Sequence, residues 1–189
     1  VGYQHNEPVA DRRKSWPVAR GVPLPRGAVR DVQALALRDR SGRLVPRQVR
    51  RLATWPDGSA MFAHVAWQCD VAHDAPASFT LELSGGEHSP QPPHPVVIRD
   101  SGNKITVRNG PLRALIRRGG SVPGFSLTFN GKRVFSGELE LWTTDSSGVL
   151  HRGVLAGANP IRIVQSGPLF GLIEFAGQHR AKTGGVFLD

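Results

Sequence analysis

Proline and glycine are so frequent in this chain that they limit which secondary structure it forms. The 189 residues include 22 glycines and 15 prolines. No window of a dozen residues keeps an apolar 3.6-residue period without one of these breakers. Proline removes a backbone donor and clashes inside a helix, and glycine weakens a helix. We therefore expect few and short helices, under about 15% of the chain.

Alternation of apolar and polar residues recurs instead. Phe79, Leu81 and Leu83 alternate with polar residues, and the segment 125–129 has the same pattern. Such runs are typical of half-buried β-strands. Further strands are predicted at 34–38, 47–54, 60–67, 104–108, 112–117, 138–143, 161–165 and 169–175. Short strands separated by turn residues predict an all-β chain built as a barrel or a sandwich.

A proline-rich stretch, SGGEHSPQPPHP at 84–95, interrupts this pattern. Its four prolines favour an extended chain without backbone donors. We predict a barrel domain at 1–88, a linker at 89–95 and a β-sandwich region at 96–189. The final residues, GGVFLD at 184–189, are typical of the start of another strand. We therefore expect an incomplete sandwich, completed by a downstream domain of the same protein or by a second copy of the chain.

The net charge of +9 comes almost entirely from arginine, which binds carboxylate and phosphate groups through its planar fork. An anionic partner and an arginine-preferring genome both explain this excess. Nucleic acid is not expected as a partner, because the basic residues are spread along the chain and are not interleaved with aromatic residues. The basic runs at 12–14 and 117–118 are short.

Several classes of protein are excluded by missing patterns. No apolar run approaches the roughly 20 residues that a membrane helix requires. Cys69 is the only cysteine, so an internal disulfide and a cysteine-rich zinc site are excluded. Serine-hydrolase, P-loop, zincin and EF-hand motifs are missing. We expect no cofactor and no metal site, and localisation stays open among secreted, periplasmic and cytoplasmic.

Two groups of segments resemble a known family. GVPLPRGAVRD at 21–31 is followed by LRDRSGRLVPRQVRRLATWPDGS at 37–59 and by an apolar strand ending at Trp67. Together they resemble the N-terminal RIFT-barrel region of the exo-rhamnogalacturonan lyase family. The segments 105–120 and 166–179 resemble the start of the β-sandwich that follows the barrel in that family. The resemblance implies a small RIFT-like β-barrel followed by part of a β-sandwich, with the catalytic region further along the chain.

The WPDGS segment has a structural explanation before a functional one. Pro56 and Gly58 occupy the second and fourth positions of a type I turn, which joins strands 47–54 and 60–67 as a hairpin. Turn chemistry accounts for Asp57. The alternative is that Asp57 accepts a hydrogen bond from a sugar hydroxyl.

A lyase acting on uronate sugars needs a base and a cation that neutralises the adjacent carboxylate. Tyr3 is the only tyrosine and lies near the first residue, and His64 alternates with apolar neighbours as core residues do. His179 remains as the candidate base, with Arg180 beside it as a candidate glycan contact. No pair of carboxylates suited to a glycosidase is identified.

Tryptophan side chains matter because sugar rings stack on indoles. Trp55 and Trp67 flank the predicted hairpin, and we expect them to pack within the barrel. Trp142 shares a strand face with Glu138 and Glu140, opposite Leu139 and Leu141, and is the best surface candidate for sugar stacking.

These observations predict the N-terminal, non-catalytic portion of an enzyme that acts on acidic, rhamnogalacturonan-like glycans. The expected partner is an acidic polysaccharide or oligosaccharide. The alternative is a stand-alone carbohydrate-binding or assembly module without catalysis.

Overall fold

A computed structural model describes residues 12–72, 77–83, 88–181 and 186–188. Tyr3 and residues 84–87 of the predicted linker lie outside these ranges. Strands account for 57% of the described residues, which contain no α-helix and one short 3-10 helix at Val32–Ala34. The prediction of an all-β chain is confirmed.

The chain divides into two compact units, Val1–Pro92 and Pro93–Asp189, called unit 1 and unit 2 below. The division falls inside the predicted linker, whose exact bounds stay a prediction. Within that stretch, Pro92 is buried, and the backbone N–H of Arg47 donates to the hydroxyl of Ser89 over 2.9 Å. The end of unit 1 is thus attached to its own sheet.

The described residues of unit 1 form two antiparallel sheets, one of three strands and one of two. Their strands are β1 (Arg12–Pro23), β2 (Ala36–Asp39), β3 (Arg47–Thr54), β4 (Ala60–Ala72) and β5 (Phe79–Glu82). The first sheet has the order β1-β4-β3, and the second pairs β2 with β5. The GVP part of the family-like segment forms the end of β1, which is an edge strand. An edge strand tolerates proline, because the backbone N–H that proline lacks would face solvent there and not a neighbouring strand.

Small and branched side chains form the core of unit 1. Leu35, Ala60 and Ala63 are fully buried, and Val65 is nearly so. Trp67 of β4 packs edge-on against Phe79 of β5, with ring centres 5.4 Å apart. Trp67 therefore packs within the unit as predicted and links its two sheets.

The WPDGS segment forms the predicted turn between β3 and β4. Gly58 N–H donates to the carbonyl of Trp55 over 2.9 Å, and Gly58 has a φ of 82°. That positive φ favours glycine over any residue with a Cβ. Trp55 is half-buried and donates its indole N–H to the carbonyl of Leu24 over 3.1 Å.

The part of unit 2 that the structure describes forms three sheets. The strands are β6 (Val97–Asp100), β7 (Lys104–Asn109), β8 (Leu112–Arg117), β9 (Gly124–Phe129), β10 (Lys132–Glu138), β11 (Trp142–Thr144), β12 (Leu150–Leu155), β13 (Ile161–Gln165), β14 (Leu172–Phe175), β15 (Gly177–Arg180) and β16 (Val186–Leu188). The sheets have the orders β10-β9-β8-β7-β6, β11-β12-β15-β16 and β13-β14. Ile105 and Ile116 of the first sheet share a buried core with Ile161 of the third and Leu155 of the second. Sheets that face one another across a common core are typical of a β-sandwich.

The predicted strand at 138–143 is wrong. β10 ends at Glu138 and pairs with β9, whereas β11 begins at Trp142 and pairs with β12. The chain changes sheets at this point, and Leu141 is 65% exposed. Glutamate and leucine alternate here as residues of a strand do. This alternation depends only on local polarity and does not show with which strand the segment pairs.

Candidate functional site

Two of the predicted glycan-binding residues lie in one row across the four-stranded sheet of unit 2. Trp142 on β11 is directly opposite Arg152 on β12, and Arg152 is directly opposite Arg180 on β15. Residues opposite one another on neighbouring strands project from the same face of a sheet. The indole of Trp142 is 47% exposed. The structure therefore brings Trp142 and Arg180 to one surface, with Arg152 between them.

Carboxylates surround the central arginine of this row. Nη2 of Arg152 lies 3.4 Å from an oxygen of Glu138 and also contacts Glu140. The indole N–H of Trp142 donates to Glu140 over 3.1 Å, and the guanidinium of Arg152 lies 5.9 Å from the indole ring centre. These contacts fix the orientation of the indole. Sequence reasoning missed Arg152, because only strand pairing places it beside Trp142.

Arg180 has a different environment from that of Arg152. It is exposed, and its guanidinium donates to the side-chain carbonyl of Gln178 over 3.0 Å. Within the described residues it has no ion pair with a carboxylate. Its charge is therefore available to an anionic group of a ligand.

His179 is on the opposite face from Arg180. Its Nδ1 lies 2.8 Å from the hydroxyl of Thr143, so the imidazole reaches across β12 to β11. It passes over Gly153, where an added Cβ would lie 3.1 Å from the carbonyl oxygen of Leu141 and 3.6 Å from the imidazole. A side chain at Gly153 would therefore crowd Leu141, whereas its distance from the imidazole is an ordinary van der Waals contact.

The imidazole of His179 lines a cleft of about 450 Å³. Leu139, Leu141 and Phe175 supply apolar walls, and Glu140 is the only charged residue among the described lining residues. A base that removes a proton beside a uronate carboxylate needs a cation near the same sugar. The geometry thus separates the candidate base from the arginines of the row.

A second histidine of the sheet is used structurally. His151 is 4% exposed, and its Nε2 lies 2.9 Å from Oδ2 of Asp145. Asp145 also accepts from the backbone N–H groups of Ser147 and Val149, each over 2.9 Å. The hydrogen bond with His151 is the main cause of a lowered pKa at Asp145. This network holds the turn that precedes β12.

Asp57 lies in unit 1, within the turn that its sequence predicted. One carboxylate oxygen accepts from the hydroxyl and the backbone N–H of Ser59, over 2.6 and 3.0 Å. The other oxygen lies 3.4 Å from Nε of Arg26. The hydrogen bond from the Ser59 hydroxyl is the main cause of a lowered pKa at Asp57. Turn contacts thus account for both oxygens, and a role in sugar binding stays a prediction.

In the part of the chain that the structure describes, no three His, Cys, Asp or Glu side chains converge as metal ligands do. The same residues include no helix long and apolar enough to span a membrane. Cys69 is half-buried, and burial is the main cause of a raised pKa at its thiol.

Comparison with known proteins identifies unit 1. Residues 8–84 match the family model of the PcRGLX-like N-terminal RIFT barrel domain. The match confirms the predicted resemblance to the N-terminal region of exo-rhamnogalacturonan lyases for these residues, which are less than half of the chain. A search of curated proteins returned no match for the chain.

Proposed function

We propose, from the PcRGLX-like N-terminal RIFT barrel domain at residues 8–84, that this chain is the non-catalytic N-terminal portion of a carbohydrate-active enzyme. The parent enzyme is an exo-acting lyase on acidic, rhamnogalacturonan-like glycans. The RIFT barrel is the observation that supports this proposal best. Fold-level similarity does not specify chemistry, so the contribution of unit 2 has to be argued from its own side chains.

The row Trp142–Arg152–Arg180 supports glycan binding by unit 2. An exposed indole offers an apolar face to a sugar ring, and Arg180 offers hydrogen-bond donors to a uronate carboxylate. Arg152 and Glu140 hold the indole from one side, so little side-chain entropy is lost when a sugar binds. These features suit recognition of an acidic sugar at a fixed position.

A binding role fits the described side chains better than catalysis does. β-Elimination requires a base, a proton donor and a carboxylate-neutralising cation around one sugar. His179 and Arg180 are neighbours on β15 and project to opposite faces. We therefore propose that the catalytic groups belong to a downstream domain of the parent protein.

A stand-alone binding or assembly module is the second candidate. The same row of side chains favours it, since binding by an indole and an arginine requires no turnover. The two candidates differ in one measurable respect. Linking the chain to the region that follows it in the gene yields lyase activity in the first case and only binding in the second.

Replacement of Trp142 tests the binding role. We expect Trp142→Ala to weaken binding of rhamnogalacturonan oligosaccharides about tenfold, the equivalent of about 1.4 kcal/mol, because the stacking face is lost. Isothermal titration calorimetry on the full chain measures this affinity.

Trp16→Ala is the matched control for that experiment. Trp16 is 44% exposed and has its own arginine, Arg13, 4.5 Å from the ring centre, but it lies in unit 1. We expect Trp16→Ala to bind the oligosaccharide as the wild type does. Equal affinity of Trp142→Ala and wild type would contradict the proposed role of the row.

A further inference from the structure

The five-stranded sheet of unit 2 has one apolar face and one basic face. Ile98, Ile105, Ile116 and Phe125 project to the core. Alternation along each strand sends the neighbouring residues to the other side. Six cationic side chains lie on that other side, and all six are exposed: Arg99, Lys104, Arg108, Arg113, Arg117 and Arg133. We refer to this surface as the basic face.

Strand pairing aligns these cations. Arg108 on β7 is opposite Arg113 on β8, which is opposite Thr128 on β9, which is opposite Arg133 on β10. Neighbouring strands lie about 4.7–4.9 Å apart. Three guanidinium groups therefore follow one line across four strands. From the sequence alone the positive charge is spread, because these arginines lie far apart along the chain.

Among the described residues, the cations of the basic face form no ion pairs with carboxylates. The remaining described arginines of unit 2 each bond to a side-chain acceptor: Arg118 to Asp100, Arg152 to Glu138 and Glu140, Arg162 to Glu174, and Arg180 to Gln178. Like charges directly opposite one another destabilise a sheet. The pair Arg108–Arg113 therefore carries a local cost that no carboxylate offsets among the described residues.

Acidic residues near the basic face are already paired. Asp100 on β6 projects to the other side of the sheet, where it contacts Arg118. Glu138 ends the row that contains Lys104 and Arg117, and its carboxylate contacts Arg152. Neither carboxylate neutralises the row Arg108–Arg113–Arg133.

Two shallow grooves flank Arg113 on this surface. One of about 450 Å³ extends toward Arg117 and Arg133 and includes the hydroxyls of Ser126 and Thr128. The other, of about 340 Å³, extends toward Arg99 and Arg108 and includes Thr106. Guanidinium groups with hydroxyls between them offer donors to carboxylates and both donors and acceptors to sugar hydroxyls.

We propose that the basic face binds a linear polymer with repeated carboxylate groups, an acidic polysaccharide, along the row Arg108–Arg113–Arg133. This inference rests on the proposed function and adds a second binding surface to it. Single-stranded nucleic acid fits less well, because the described residues of this face include no aromatic side chain on which a base stacks. A second copy of the chain also fits less well, since two such faces repel one another.

The test uses the full chain and polygalacturonate as the probe, with neutral galactan as a negative control. We expect Arg108→Gln/Arg113→Gln/Arg133→Gln to raise the Kd for polygalacturonate about tenfold and to reduce its dependence on salt. The matched control, Arg20→Gln/Arg40→Gln/Arg50→Gln, removes the same charge from exposed sites in unit 1. We expect this control to change the Kd less than about twofold.

The outcomes separate this inference from the proposed function. An equal loss of affinity in both triple variants overturns the inference, because overall charge then explains the binding. Unchanged affinity in the basic-face variant, together with a loss in Trp142→Ala, overturns the inference and leaves the proposed function standing. No binding of any acidic glycan by the wild type overturns both. Tighter binding of single-stranded DNA than of polygalacturonate at equal salt overturns the choice of ligand.

Folding of the variants is checked separately. Removal of like charges that face one another is expected to stabilise the sheet or leave it unchanged. Thermal unfolding of both triple variants followed by circular dichroism verifies this. Arg113→Gln alone, which changes the residue shared by the two grooves, repeats the measurement with a single replacement.

Discussion

Two aspartates of unit 1 make the same local hydrogen bonds, but burial decides how much those bonds contribute to stability. Asp39 and Asp57 each accept hydrogen bonds from the hydroxyl and the backbone N–H of the serine two residues later. Ser41 is exposed, whereas Ser59 is fully buried and its hydroxyl also accepts from the N–H of Gly27 over 2.9 Å. The buried serine therefore links two segments of the barrel, and the exposed serine supports only its own turn.

Ser59→Ala is expected to lower the free energy of unfolding by about 1–3 kcal/mol, because it leaves the N–H of Gly27 without its partner. Ser41→Ala is the control and is expected to cost less than about 1 kcal/mol. Urea unfolding followed by tryptophan fluorescence measures both. The opposite outcome, normal stability of Ser59→Ala together with a loss of glycan affinity, would indicate that Asp57 binds ligand.

At the scale of elements, one arginine connects two sheets of unit 2. Arg118 forms a bidentate ion pair with Asp100 of β6, and its Nη2 also donates to the carbonyl of Ile161 on β13 over 3.1 Å. The side-chain hydrogen bond from Arg118 is the main cause that lowers the pKa of Asp100 to about 2 from 3.8. Ionised Asp100 therefore stabilises the packing of β6 near β13.

This pKa shift predicts how stability depends on pH. A carboxyl group with a lowered pKa in the folded state contributes its full stabilisation above the unfolded value of 3.8 and loses it as pH falls to about 2. We expect wild type to be more stable than Asp100→Asn above pH 3.8, and the difference to shrink as pH falls from 3.8 and to disappear below about pH 2. Urea unfolding of both proteins across this range measures it. A difference that did not vary with pH would contradict the electrostatic explanation.

At the scale of the whole molecule, the proposed function predicts that this chain alone binds acidic glycan without cleaving it. We expect the purified chain to release no unsaturated uronate from rhamnogalacturonan, because the candidate base and the cations of the Trp142 row project from opposite faces. Ultraviolet absorbance of the unsaturated products measures this. Steady product formation by the wild type that disappears in His179→Ala would contradict it and place the active site in the cleft beside His179.

Local sequence was sufficient for the fold class and for several strands. Proline, glycine and alternating polarity are properties of neighbouring residues, so they predicted β3, β8 and the turn at 55–58 without any knowledge of partners. The spaced segments of unit 1 were also sufficient to predict the RIFT barrel, which the family-model match at residues 8–84 confirms. The first part of β1 was missed because its basic residues break the alternation.

Strand pairing, by contrast, was decided only by the tertiary structure. The break between β10 and β11, the row Trp142–Arg152–Arg180 and the basic face all depend on which strands are neighbours and in which register. Register is set by long-range burial of apolar faces, and a shift by one residue would move every side chain to the other side. The sequence alone therefore determined that this chain forms sheets, whereas packing of those sheets determined which charges and aromatic rings meet.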